Sequence, residues 1–239
     1  MPRKPREEVA GGIFHVYARG NDKRLIYRDD VDREVYLRLL SGTVGRCRWR
    51  LLGYCLMENH VHLVIETPDA NLGVGMQWFH SGYALQFNQR HGRSGHVFQG
   101  RYGAVRVKSD SQLWAVAAYV AMNPVEAGLC DAPGEWAWSS HAATVSGRGP
   151  GWLDVGRLLG FFGAAGGNPR ERYAAMFHEM HEARPLVGRL RWRGTRLWIR
   201  RVGLLRGLPH LVDGRHAEVL VHEDLQLRAV RAADVRLIR

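Results

Sequence analysis

Two histidines one residue apart, His60 and His62, stand in the apolar run Glu58-Asn59-His60-Val61-His62-Leu63-Val64-Ile65. On a β-strand, side chains at i and i+2 leave the same face, roughly 7 Å apart along the chain. Both imidazoles can therefore converge on one ion, while Val61, Leu63 and Ile65 turn into the core behind them. Such a pair is common, and water or a backbone carbonyl can satisfy it as well as a metal does. A divalent cation held by two neutral imidazoles needs at least one further ligand.

Tyr119 and Asn123 supply a candidate completion about sixty residues later. With a helical step of roughly 100° per residue, Leu113, Ala117, Val120 and Ala121 share one arc, the expected buried face. Tyr119 lies about 150° from the centre of that arc, with Asn123 one turn further on. A tyrosine serving only the core would join the arc; this one stands beside an amide whose carbonyl oxygen can ligate a cation. Pro124 disfavours α geometry at the residue before it, which marks Asn123 as a candidate helix end. Two imidazoles, an amide and a phenol have a coherent use. A hard cation such as Mg²⁺ would polarise a phosphodiester oxygen, and the phenol would attack phosphorus to leave a covalent phosphotyrosine and a 3′-hydroxyl.

The elements that must position these groups are legible from periodicity. Gly12 to Arg19 alternates as a strand, closed by Gly20-Asn21-Asp22. Asp29 or Asp30 offers an N-cap to a helix striped by Val31, Val35, Leu39 and Leu40. Arg48 to Met57 forms a second strand, and a turn near Met57-Glu58-Asn59 separates it from the histidine strand. Leu72, Met76, Phe79, Tyr83 and Phe87 mark a helix face, and Trp78 is assigned to the core with Tyr83 and Phe87. Arg90 to Gly95 is a glycine-broken basic loop, Tyr102 to Lys108 a strand, and Ser109 or Asp110 caps a helix over Ser111 to Met122. This order fits an α+β domain with a mainly antiparallel sheet over residues 1–150. Turn residues at 147–151 suggest a boundary to an extension over 151–239, helical to about 182. From Arg184 onward there are 13 arginines and 5 acids, a tail to which no fold is assigned.

The 239 residues are 46% hydrophobic, enough for a substantial core, and carry a net charge of +11. Among the 34 basic residues only Lys4, Lys23 and Lys108 are lysine. A basic balance of this size suits a polyanionic partner. Cys47, Cys55 and Cys130 lack paired metal spacing and read as small core residues. No apolar run approaches the roughly 20 residues of a membrane span, so a cytoplasmic, nucleoid-associated protein is expected.

Taken in order, Phe14-His15-Val16 with Arg19-Gly20-Asn21, Met57 to Val64, Gly95-His96-Val97-Phe98-Gln99-Gly100-Arg101-Tyr102, Tyr119 to Leu129 and Trp138-Ser139-Ser140 resemble the single-tyrosine HUH transposases of insertion sequences. The match is closest to their REP-associated tyrosine transposase branch and covers about residues 10 to 145. The resemblance implies a ferredoxin-like or RRM-like antiparallel sheet with packed helices. It implies His60 and His62 as the metal pair for Mg²⁺ or Mn²⁺, Asn123 as third ligand and Tyr119 as nucleophile. It also implies single-stranded DNA with hairpins as substrate, nicked and transferred through a 5′-phosphotyrosine in transposition or REP-element processing. Relatives include both monomers and homodimers that exchange the tyrosine helix, so the oligomeric state stays open. Glu126 departs from the family pattern, where a basic residue is frequent.

DNA contacts are expected from Arg3, Lys4, Arg6, Arg19, Lys23, Arg90, Arg93, Arg101 and Arg106, with Arg90, Arg93 and Arg101 around the glycine-rich loop as phosphate contacts. His15, His80, His91 and His96 have no motif spacing and are taken as structural or DNA-facing. The alternatives are a domesticated hairpin-binding protein without catalysis, and a small-molecule metallohydrolase. The latter would need carboxylate or further histidine ligands that no motif supplies.

Overall fold

The computed structural model describes residues 8–163, 167–183, 191–193, 196–199, 218–223, 226–231 and 235–237. Four strands, β1 (Gly12–Arg19), β2 (Arg50–Leu56), β3 (His60–Thr67) and β4 (Gly103–Val107), form one sheet in the order β2-β3-β1-β4. All its pairings are antiparallel. Helix α1 (Asp30–Cys47) joins β1 to β2, and α2 (Leu72–Arg90) joins β3 to β4. This is the split βαββαβ arrangement of ferredoxin-like folds, as expected. The turn at 57–59 falls where the sequence placed it.

Register explains the division of labour between the two faces. Phe14, Val16 and Ala18 sit opposite Ile65, Leu63 and Val61, and all six are buried. On the other face Tyr17 sits opposite His62 and Arg19 opposite His60. Because directly opposed residues in an antiparallel pair point the same way, one face is core and the other gathers the chemistry.

Asp29 caps α1, its side chain accepting from the Asp32 amide at 3.0 Å. The buried face of α1 is not the expected Val31, Val35, Leu39, Leu40 stripe. Asp32, Tyr36, Leu40, Thr43, Val44 and Cys47 are buried, and Val31 is 48% exposed. The reason is polar: Asp32 turns inward to meet Arg90 at 2.6 Å and His91 at 2.8 Å, which rotates the helix away from the purely apolar solution. The α2 face of Leu72, Met76, Phe79, Tyr83 and Phe87 is buried as expected. Trp78 is not core, since it leaves that stripe; its exposed ring is covered by the Arg46 guanidinium at 3.7 Å.

Helix α3 (Asp110–Glu126) is capped by Ser109, whose hydroxyl accepts from the Gln112 amide at 3.2 Å. It runs through Pro124 instead of ending at Asn123. After α3 the chain returns along the outer edge of β2. The Leu56 amide donates to Trp138, Ser140 and Tyr54 exchange backbone and hydroxyl bonds, and the Asp154 amide donates to Leu51. An edge strand is thereby covered by main-chain pairing. After the short helix α4 (His141–Ser146), α5 (Val155–Gly163) and α6 (Pro169–Ala183) contribute Leu158, Leu159, Phe162, Tyr173 and Phe177 to the same apolar cluster as the sheet. The segment from Gly147 to Gly151 that follows α4 is mostly exposed.

Beyond α6 come the strands β5 (Arg191–Arg193), β6 (Arg196–Ile199), β7 (Glu218–Glu223), β8 (Gln226–Arg231) and β9 (Val235–Leu237). They pair as β5-β6-β9 and β7-β8. Among the described residues no helix is long and apolar enough to cross a membrane.

Candidate active site

The sheet face carrying His60 and His62 is met by α3, and this brings Tyr119 to the histidines within one chain. The Tyr119 ring centroid lies 5.2 Å from that of His62 and 5.7 Å from that of His15. His60 and His62 stand edge to face with centroids 5.1 Å apart. Asn123, one helical turn beyond Tyr119, places Oδ1 3.3 Å from Nε2 of His60. The helical-wheel arc thus identified only one of the buried sides of α3. Ala118, Met122 and Asn123 are buried too, and Tyr119 is sandwiched between helix and sheet.

Hydrogen bonds around His60 fix its tautomer. Asn59 Nδ2 donates to the Lys23 carbonyl at 3.0 Å, so Asn59 Oδ1 is the atom turned to Nδ1 of His60, 2.8 Å away. An amide oxygen only accepts, hence Nδ1 of His60 carries the hydrogen and Nε2 of the neutral ring presents its lone pair. Asn123 Nδ2 donates to the Tyr119 carbonyl at 3.3 Å, so its oxygen faces His60. In the neutral ring two acceptors therefore converge at 3.3 Å, an arrangement relieved by a proton on Nε2 or by a cation held between them. Cis ligands of one Mg²⁺ stand roughly 3 Å apart, given metal–oxygen distances of about 2.1 Å. The donor set fits a hard divalent cation on that observation. Among the described residues no three His, Cys, Asp or Glu side chains gather into a metal cluster, so His60, His62 and the Asn123 amide are the donors at hand.

His62 is oriented differently. Its Nδ1 lies 3.0 Å from Nε2 of His15, and both rings are fully buried and stacked at 5.1 Å. A cation beside His60 would have to take Nε2 of His62. His15, read from sequence as structural or DNA-facing, is thus part of the site. Its signal was the alternation His15-x-Tyr17-x-Arg19, which puts the three on one face; which strand lay alongside was not legible.

Burial is the largest influence on the Tyr119 phenol and pushes its pKa well above the ordinary value. Asn123 and the charge of Arg19 pull it back, while Glu126 adds to the rise.

The basic residues divide. Arg19 is half-buried beside His60, and its carbonyl accepts from the Gln99 amide at 2.9 Å. That bond, with Asn21 to Val97 at 2.8 Å, docks the Gly95–Tyr102 loop on the end of β1. Gly20 is needed there because a Cβ would overlap the Arg24 carbonyl oxygen. Lys23 and Arg101 are exposed, and Arg93 and Arg106 half-buried. Arg90 is tied to Asp29 and Asp32 at 2.7 and 2.6 Å, with its pKa raised chiefly by those hydrogen bonds. Arg3, Lys4 and Arg6 lie outside the described residues. His80 and His91 serve the core, stacked on Phe98 at 4.2 Å and bonded to Asp32 respectively.

A ferredoxin-like sheet presenting a His-x-His pair to a tyrosine on the helix after its last strand is the arrangement of the single-tyrosine HUH class. Residues 8–123 match the family model described as IS200-like transposase. A Haemophilus influenzae protein assigned as a REP-associated tyrosine transposase is 20% identical over 156 residues, which are 61% of this chain and 88% of the relative. A solved structure of a REP-associated tyrosine transposase bound to a REP hairpin shares the fold. It aligns with a TM-score of 0.53 at 15% identity, over 63% of this chain and 89% of the other.

Proposed function

We propose that this protein cuts and transfers single-stranded DNA at hairpin-bearing sites, with Tyr119 as nucleophile and His60, His62 and Asn123 as ligands of Mg²⁺ or Mn²⁺. The observation that carries the reading is the convergence of His60 Nε2 and Asn123 Oδ1 one helical turn from a phenol set edge to face against His62. When bound, the cation would neutralise charge on a non-bridging phosphate oxygen and hold phosphorus in line. The Tyr119 oxygen forms a bond to phosphorus, and the bond from phosphorus to the 3′-oxygen breaks. The phenol loses its proton to solvent and the 3′-oxygen regains one, leaving a 5′-phosphotyrosine and a 3′-hydroxyl. The ester conserves the energy of the broken bond, so reversal onto another 3′-hydroxyl joins strands without ATP. Arg19, Lys23, Arg93, Arg101 and Arg106 are the basic residues assigned to DNA, together with Arg3, Lys4 and Arg6. Arg90 joins them only if its carboxylate partners release it.

The test is a hairpin oligonucleotide labelled on the 3′ side of the cut, in the strand that keeps the 5′-phosphate, incubated with Mg²⁺ or Mn²⁺ and run on a denaturing gel. Wild type gives an SDS-resistant adduct and Tyr119→Phe gives none while binding the hairpin unchanged. An adduct in Tyr119→Phe removes the nucleophile assignment. Binding without any wild-type adduct is the outcome of a hairpin-binding protein that lacks catalysis.

A further inference from the structure

Arg19 is the last residue of β1 and pairs directly with His60, so its side chain leaves the sheet on the metal-pair face. Its main chain is clamped from both sides. The Gln99 amide donates to its carbonyl, and the next amide, Gly20, donates to Asn59 at 2.8 Å. The guanidinium is half-buried, with Nε shut off from solvent and without a hydrogen-bond acceptor, and no carboxylate pairs with it among the described residues. Three arginines of the domain contrast with it: Arg48, Arg90 and Arg157 each meet a carboxylate at 2.8 Å or less. A cation withdrawn from water without a counter-charge is costly, and a fold keeps one there where an anion arrives. Its pairing with His60 puts it on the sheet face where the Tyr119 ring meets His62, so an anion it binds lies on the nucleophile's side of the sheet.

Resting on the reading of Tyr119 as nucleophile, we propose that Arg19 is a catalytic residue: its guanidinium binds the non-bridging oxygens of the very phosphodiester that Tyr119 attacks, and stabilises the charge gathering there in the transition state. This goes beyond a contact that merely holds the DNA backbone. Arg19 neither gains nor loses a proton. Phosphorus exchanges its 3′-oxygen for the Tyr119 oxygen while the planar fork offers two N–H donors to the equatorial oxygens.

Wild type, Arg19→Lys and Arg19→Gln are compared for hairpin affinity, melting temperature and single-turnover adduct formation at saturating hairpin DNA with Mn²⁺. Arg19→Gln is expected to slow the adduct step on the order of 100-fold. Its hairpin affinity should stay within about threefold and its melting temperature unchanged, since one phosphate contact among many contributes little to binding. Arg19→Lys, which keeps the charge and loses the fork, should fall between. An adduct rate in Arg19→Gln equal to wild type overturns the assignment. So does a loss of hairpin affinity as large as the loss of rate, which would mark a general backbone contact, and so does an equal fall of both variants with a lowered melting temperature. Failure of wild type to form any adduct sinks the nucleophile reading itself, a result separable from all of these.

Discussion

Nδ1 of His62 and Nε2 of His15 meet at 3.0 Å inside a fully buried stack, and this contact decides which nitrogen of His62 can look toward a cation. For Nε2 of His62 to be a ligand, Nδ1 must carry the hydrogen and donate it to His15. Outer partners of this kind set tautomer and ring orientation. His15→Gln offers an amide oxygen as replacement acceptor and His15→Leu offers none. Calorimetric titration with Mn²⁺ should therefore show affinity lowered about 10- to 100-fold in His15→Leu and largely kept in His15→Gln. Equal affinity in all three proteins would remove the orienting role.

The donor set gives a second expectation. His60→Ala combined with His62→Ala should abolish adduct formation and Mn²⁺ binding, yet leave salt-sensitive hairpin binding mostly intact, because phosphate contacts dominate affinity. Gel-shift titration at two salt concentrations reads this directly. Parallel loss of binding and cleavage would make the pair structural.

Stability of the domain leans on a tie between sheet and C-terminal helices. Arg157 grips Glu66 with Nε and Nη2 at 2.8 and 3.1 Å, while Arg50 stands at 3.8 Å. Glu66 is buried on β3, so Arg157→Ala leaves a carboxylate largely unpaired. The cost should be roughly 1–2 kcal/mol, below that of a fully buried pair because the arginine is partly exposed. Urea denaturation checks it, and an unchanged midpoint would show that the bidentate pair contributes nothing.

Acid should weaken the fold through two buried histidines. Burial holds His80 down to about 3 and His141 to about 4, against 6.5 when unfolded. Below pH 6.5 the unfolded chain takes up protons that the native state refuses, so this contribution is complete above that pH and is lost as pH falls toward those values. The slope approaches about 1.4 kcal/mol per pH unit for each histidine. Denaturant unfolding between pH 7 and pH 5 should show falling stability, with a shallower fall in His80→Gln. Identical slopes in the two proteins would exclude His80 as a source.

Much of this protein was legible in one dimension because strand and helix periods are local. Alternation from Gly12 to Arg19, the α2 stripe and the Ser109 cap depend on neighbours two to four residues away, and the structure has them where the sequence put them. Joint spacing of His60, His62, Tyr119 and Asn123 was sufficient to propose a site. The α1 face was misread because Asp32 is buried by Arg90 and His91, some sixty residues distant, and no local period carries that information. Likewise only strand pairing set Arg19 against His60 and Tyr17 against His62, and only packing laid α3 on that face and His15 against His62. Sequence chose the side chains and the period on which they repeat; register, a long-range choice made by burying one face of the sheet, chose their company.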